Sequence, residues 1–273
     1  MCCIVRTEGN HLSSDGDSLL RSIFRVHAYA GLPFIRIDHT FVNDNSETSF
    51  TDIESMYLDL DTPPGDNPET ELIQTHDDRS VVNGKVSGDR LGGEISVAGV
   101  DVDVVDFWQQ YPKSLRTHGE GIQIGICPAI GDNDYRVGGE EEYKLYFYLK
   151  DGVYRFREGV SKTHTVYIGE SLPSLPTPMA QAPVDWNCDS GAFGEITPGN
   201  DGLFPDYEKR VADSFDGYLE NHEISREYGM LNHGDWTFDS YKDWGNNEYD
   251  TAYVFFVQWA RSGDMRFFED ACR

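Results

Sequence analysis

Residues 22–44 read SIFRVHAYAGLPFIRIDHTFVND, and this stretch decides the fold. From Ser22 to Ala28 the side chains alternate. Phe24, Val26 and Ala28 share one face and Ile23, Arg25, His27 and Tyr29 the other, the period of a strand. Gly31 then turns the chain, and Phe34–Val42 alternates again with Ile35, Ile37, His39 and Phe41 on one side. Two such runs joined by a short Gly-containing loop predict a hairpin. Outward from it, strands are expected at Ile53–Leu60, Gly99–Trp108, Gly121–Cys127, Tyr143–Leu149, Gly152–Phe156 and His164–Ile168, and Met1–Val5 reads as another. Turn signals such as Asp61-Thr62-Pro63-Pro64-Gly65, Val137-Gly138-Gly139 and Lys150-Asp151-Gly152 separate them. Many strands with no helix between them predict a large antiparallel β-sandwich over residues 1–170.

The character changes at Ser171–Pro178, where prolines 173, 176 and 178 can continue neither a ladder nor a helix. Residues 171–205 therefore read as a Pro-rich linker and extended segment, with a helical domain over 206–273. Val211, Phe215, Tyr218 and Leu219 stand at helical spacing. A second helix is expected over about Asn247–Arg261, apolar around most of its girth. Ser262-Gly263-Asp264 ends it and caps a third. That helix breaks off at Arg273 without a stop signal, and no leader opens the sequence, so both ends read as cut from a longer chain. The fold class expected is two domains, β then α.

Charge narrows the function. With 22 basic and 48 acidic residues the net charge is −26, which excludes a general nucleic-acid binder, and no run of about 18 apolar residues suggests a membrane span. A hydrophobic content of 38% is too high for a disordered acidic chain. Residues 50–110 hold 14 acids and 3 bases, whereas residues 111–170 hold 9 acids and 8 bases. The second block either faces an anionic ligand or balances its neighbours. Five cysteines lack metal-site spacing and read as buried free thiols. There is no phosphate loop ending in GK[ST], no GxSxG and no HExxH. Loops such as Gly131-Asp132-Asn133-Asp134 and Asp201-Gly202 read as solvated turns, with calcium only a weakly supported cofactor. No other cofactor and no metal ligand set is expected.

The densest polar-aromatic stretch is Leu231-Asn232-His233-Gly234-Asp235-Trp236, followed by Asp243-Trp244-Gly245-Asn246-Asn247-Glu248-Tyr249-Asp250. Asn246 or Asn247 could cap the following helix, and Glu248 and Asp250 suit its dipole. Capping leaves the two tryptophans, the histidine and the tyrosine unexplained. Trp236 and Trp244 stacking on pyranose faces, with amides and carboxylates bonding hydroxyls, is the make-up of a sugar cleft. His222 near a helix end reads as a dipole partner, and His27 and His39 as surface or cross-strand residues.

The run GDWTFDSYKDWGNNEYDTAYVFFVQWARSGDMRFFEDA (234–271) resembles the start of the helical domain in the PcRglX/YetA-like family. The segments at 22–44, DFWQQYPKSLRTHGEGIQIGICP (106–128) and FREGVSKTHTVYIGE (156–170) resemble that family's N-terminal sandwich. The resemblance covers most of residues 19–273. It implies a sandwich followed by the first helices of a truncated α/α toroid, as in exo-rhamnogalacturonan and ulvan lyases, with a substrate cleft where they meet. The expected activity is β-elimination on a uronate-containing polysaccharide. Such chemistry must neutralise the carboxylate, remove the C5 proton and protonate the leaving oxygen. Asn246 and Asn247 are the neutralising or binding candidates, and His233 and Tyr249 the base or acid candidates. Tyr249 serves equally well as a core residue on its apolar stripe. Lys162 and His164 could approach the same cleft from the sandwich, with Arg116 holding a carboxylate and Glu248 contributing to binding. The partner expected is an anionic polysaccharide or oligosaccharide. Acidity favours export of the parent chain, although breakdown of imported oligosaccharides suits the cytoplasm. Two alternatives stand beside this reading: a toroid glycoside hydrolase using Asp235, Glu248 and Asp250, and a silent carbohydrate-binding module.

Overall fold

A computed structural model describes residues 2–13, 15–62, 68–119, 121–129, 131, 149–150, 152–172, 181–235 and 250–273. The chain divides into two compact units: residues 1–176 with 229–231, and residues 177–228 with 232–273. The first is built of antiparallel sheets and the second of helices.

The first six-stranded sheet runs, in spatial order, β1 (Cys2–Leu12), β2 (Ser18–Tyr29), β3 (Phe34–Val42), β15 (Ser161–Gly169), β10 (Val100–Val104) and β9 (Glu94–Val97). The second runs β5 (Met56–Asp61), β12 (Gly121–Cys127), β11 (Lys113–His118), β6 (Glu71–His76), β7 (Arg79–Val82) and β8 (Lys85–Ser87). A small sheet joins β13 (Leu149–Lys150), β14 (Val153–Arg157) and β4 (Phe50–Ile53). The hairpin read from residues 22–44 is present, with Val26 opposite Ile37 and Phe24 opposite His39. Its turn closes through Leu32 N–H to the Tyr29 carbonyl, and Gly31 takes φ +80°, which its missing Cβ permits.

Inner faces of the sheets meet in one core. Leu20, Phe41, Val102 and Val166 from the first sheet pack with Leu115, Ile122, Ile124 and Ile126 from the second and with Tyr154 and Phe156 from the third. Each such aliphatic side chain, removed from water, stabilises the fold by about 1.5–3 kcal/mol. Residues 229–231 belong to this unit: Gly229 N–H bonds the Gln109 carbonyl, Met230 N–H bonds that of Tyr111, and Met230 is buried in the core.

Three strand readings change. Ile53–Leu60 is two strands in different sheets, because Ile53 and Met56 both turn inward and an odd spacing of three breaks the alternation. Gly99–Trp108 stops as a strand at Val104, where Asp106 at φ +54° folds the chain back and buries Phe107. The strand β11 was not foreseen, because a lysine holds its first inward position. Of Tyr143–Leu149, only Leu149 lies within the described residues.

In the second unit four helices are described: α1 (Val184–Asp189), α2 (Pro205–Ser225), α3 (Thr251–Ser262) and α4 (Met265–Ala271). Helix α1 lies within residues 171–205, where the prolines led to an expectation of extended chain. Pro205 opens α2, where its missing N–H costs nothing. Phe215 is the buried anchor of α2, with its ring 4.0 Å from that of Phe267 and 5.2 Å from that of Phe255. Gly263, left-handed at φ +73°, ends α3, and the Asp264 carboxylate accepts from Arg266 N–H to cap α4, as the Ser-Gly-Asp run predicted. Among the described residues no helix is long and apolar enough to cross a membrane. All five cysteines are free, but only Cys127 and Cys188 are buried; Cys2, Cys3 and Cys272 are exposed.

Candidate functional site

Two clusters of titratable side chains emerge, one in each unit. In the sheet unit, pairing of β15 with β3 sets His164 opposite His39 and Lys162 opposite Phe41, so all four share the inward face. Phe41 is fully buried, with His164 and His39 2% and 3% exposed; Lys162 is only partly covered. His39 Nε2 lies 2.8 Å from Ser22 Oγ, and its ring is 4.6 Å from Phe24. The His164 ring lies 6.1 Å from that of Phe41. From the second sheet comes Lys113, 0% exposed, whose Nζ donates to the Ile126 carbonyl at 2.9 Å. Neither ring nitrogen of His164, nor Nδ1 of His39, has a hydrogen-bond partner among the described residues.

Burial governs the electrostatics here. It pulls the Lys113 amine down to about 7, with Cys127 opposing and Lys162 adding to the fall. His164 is pushed well below the usual imidazole range by burial, then by Lys113, Lys162 and His39. His39 falls to about 4 through burial, His11 and Lys113. Lys162 is lowered by burial against the attraction of Asp106, and burial pushes the Cys127 thiol up to about 12. Near neutral pH the imidazoles are uncharged and Lys113 is poised between its two forms.

Arg116 stands apart from this cluster. It is exposed on β11 and paired across the ladder with Glu71 on β6. Arg155 likewise grips Asp52 on the neighbouring strand at 2.8 and 2.9 Å. The base-rich block 111–170 thus spends two of its arginines on acids of the block 50–110, while Lys113 and Lys162 turn inward.

In the helical unit, His233 is buried, with its ring stacked 6.0 Å from Tyr228. Around it the fold gathers residues that sequence reading passed over. Helix α2 ends with Arg226 left-handed at φ +51°, and the chain reverses so that Glu227 N–H bonds the His222 carbonyl. The same reversal brings the Glu227 carboxylate to 3.1 Å from His222 Nδ1, leaving Nε2 without a hydrogen-bond partner among the described residues. One turn back on α2, the Tyr218 ring lies 4.4 Å from that of His222, edge to face. The Asp270 carboxylate, which acts on the Tyr218 hydroxyl, takes Arg273 Nη1 at 2.9 Å. Burial, Asp270 and Glu227 together push the Tyr218 hydroxyl far above the phenol range, so it stays protonated. His222 is lowered by burial, which outweighs the upward pull of Glu227 and Asp270, and His233 and Arg273 add to the fall. This set can offer a neutral imidazole nitrogen beside a protonated phenol. The i, i+4 spacing of Tyr218 and His222, followed by a carboxylate past the helix stop, was the available signal.

Trp236, Trp244, Asn246, Asn247, Glu248 and Tyr249 lie outside the described residues, as do residues 132–134 of the candidate calcium loop. In the other acidic loop, Asp201 accepts from Leu203 N–H at 2.8 Å, a turn-forming bond. Among the described residues no group of three or more His, Cys, Asp or Glu could hold a metal ion.

No family model and no curated protein matches the sequence. Among solved structures, the Slr1438 protein from Synechocystis sp. PCC 6803 aligns over 61% of this chain and 61% of its own, at 10% identity and a TM-score of 0.33. The chain thus spans less than two thirds of that protein, and a likeness of this size says nothing further about fold or function.

Proposed function

We propose that the chain is part of a carbohydrate-active lyase that cleaves a uronate-containing polysaccharide, of the rhamnogalacturonan or ulvan kind, by β-elimination. In this reading the helices of the second unit belong to an α/α toroid. The observation that carries it is the His222–Glu227 pair beside Tyr218, in a chain whose sequence is rich in Trp and Asn over residues 231–250.

Elimination needs a base at C5. His222 fits: Glu227 fixes the ring through Nδ1, Nε2 is left to accept a proton, and a lowered pKa keeps it neutral near pH 7. As the C5 proton leaves, its electron pair forms the C4=C5 double bond and the C4–O bond breaks. The departing oxygen takes a proton from an acid, a role for the Tyr218 hydroxyl, which stays protonated although burial and the nearby carboxylates make it a weaker acid. The developing negative charge at the uronate carboxylate calls for amide donors, the role assigned to Asn246 and Asn247.

The test is incubation of the protein with pectic and ulvan oligosaccharides while the absorbance of the 4,5-unsaturated uronate is followed. His222→Gln should lower turnover by about 10²–10⁴-fold with the circular dichroism unchanged. Reducing ends without that absorbance would identify a hydrolase, and binding without either product a silent module. Undiminished turnover in His222→Gln would remove the assigned base.

A further inference from the structure

The inner face of the sheet unit carries a second opportunity, independent of the elimination reading. Lys113, Lys162, His39 and His164 converge there from three strands, with Asp106 the one acid that acts on Lys162. Elsewhere in this unit several arginines are answered by carboxylates: Arg116 by Glu71, Arg155 by Asp52, Arg36 by Asp38. Here the bases face one another, with only Asp106 acting on them as an acid. Lys113 donates to the Ile126 carbonyl, and among the described residues no further hydrogen bond of its ammonium group is found. His164 is 2% exposed with both ring nitrogens unpartnered among the described residues. Buried polar groups are hydrogen-bonded in the great majority of native structures, and each exception needs a cause.

We propose that this cluster is a binding site for a small carboxylate anion, held by the ammonium groups of Lys113 and Lys162 and by a ring N–H of His164. A carboxylate offers about four lone-pair positions to these donors. A monoanion suits the site better than phosphate, because the cost of taking an ion out of water grows with the square of its charge and the cluster holds few positive charges near neutral pH. Lys162, only partly covered on the inward face, marks the entry. The protein's overall −26 charge repels anions at long range, but over distances shorter than about 8 Å the local lysines dominate.

The experiment titrates the whole chain with sodium acetate and sodium galacturonate, with sodium chloride and phosphate at matched ionic strength as controls. Either carboxylate should raise the Tm by about 5 °C near saturation, as expected for a ligand that binds only the folded state. It should also move the His164 ring resonances. Lys113→Met, which keeps the volume and removes the charge, should abolish the Tm shift. Acetate and galacturonate acting alike would point to the carboxylate group itself, and galacturonate alone to a uronate; both support the site. It is overturned if neither carboxylate shifts the Tm beyond chloride, if phosphate outdoes them, or if Lys113→Met responds like the native chain. Should that variant fail to fold, unmoved His164 resonances in the native protein overturn it as well.

Discussion

His164 of the sheet unit and His222 of the helical unit make an instructive pair. In the sheet unit His164 is surrounded by like charge, and burial and neighbours both drive its pKa down. In the helical unit His222 is half-buried beside opposite charge, and Glu227 and Asp270 resist a fall that desolvation still wins. Strand alternation explains the first: every second residue of β15 and β3 faces inward, whatever its chemistry, and the ladder lines Lys162 and His164 up against Phe41 and His39. Chain reversal explains the second: a left-handed residue after α2 carries a carboxylate back to a histidine five residues earlier. One cluster therefore sets bases against bases, with Asp106 the one acid acting on it, whereas the other pairs a histidine with a carboxylate.

The sharpest way to break this contrast is Lys113→Met. The free amine titrates at 10.5 when unfolded and at about 7 when folded. Between those values the unfolded chain holds a proton that the folded chain has given up, so stability should rise with pH from about 7 toward 10.5. Below about 7 both states are charged and the full penalty of burial is present. Removing the amine should flatten that slope and stabilise the ligand-free sheet unit by about 1–4 kcal/mol near pH 6, by analogy with apolar replacement of buried charges. Urea unfolding of both proteins at about pH 6 and about pH 9 measures it. A native slope that persists in the variant would mean that Lys113 is not the group responsible.

Glu227→Gln probes the other side. Loss of the charged partner of a half-buried histidine should cost about 1–3 kcal/mol. With the carboxylate gone, the His222 pKa should drop further, because burial is then less opposed. In the sheet unit, Lys162→Met should move His164 the other way, upward, because a like charge has been removed. Histidine ring titrations by NMR report both, and the contrast stands on their opposite signs. Shifts in one direction would mean that both clusters are ruled by burial alone.

The hairpin at residues 22–44 was legible because its apolar residues keep a strict period of two; so was the end of α3, because Gly263 and Asp264 each have one structural job. Strand β11 was hidden for the reason that makes it interesting: Lys113 occupies an inward position that a reader of hydrophobic patterns assigns to solvent. His39 was read as surface or cross-strand, and the ladder gives it a cross-strand Ser22 partner yet buries it. His222 was read as a helix-dipole partner because helical periodicity does not show which residue returns after the helix stops. Lys162 and His164 were singled out for their residue types; what they face, Lys113 on a strand about 50 positions earlier in sequence, depends on sheet packing that no local pattern encodes.

The smallest effect belongs to Arg116, chosen from sequence as a carboxylate holder. Its guanidinium is already committed to Glu71 across the β11–β6 ladder, and both side chains remain largely open to solvent. Exposed pairs of this kind contribute about 0–1 kcal/mol, and salt screens them. Arg116→Ala should therefore change stability by less than about 1 kcal/mol and leave any carboxylate-dependent rise in Tm intact. The contrast with Lys113 is one of setting: two cationic side chains on one strand, three residues apart, differ because one has kept its water and its counterion and the other has lost both. If Arg116→Ala weakened carboxylate binding as strongly as Lys113→Met, the anion would have to reach the outer face of β11, and the inward cluster would no longer account for it.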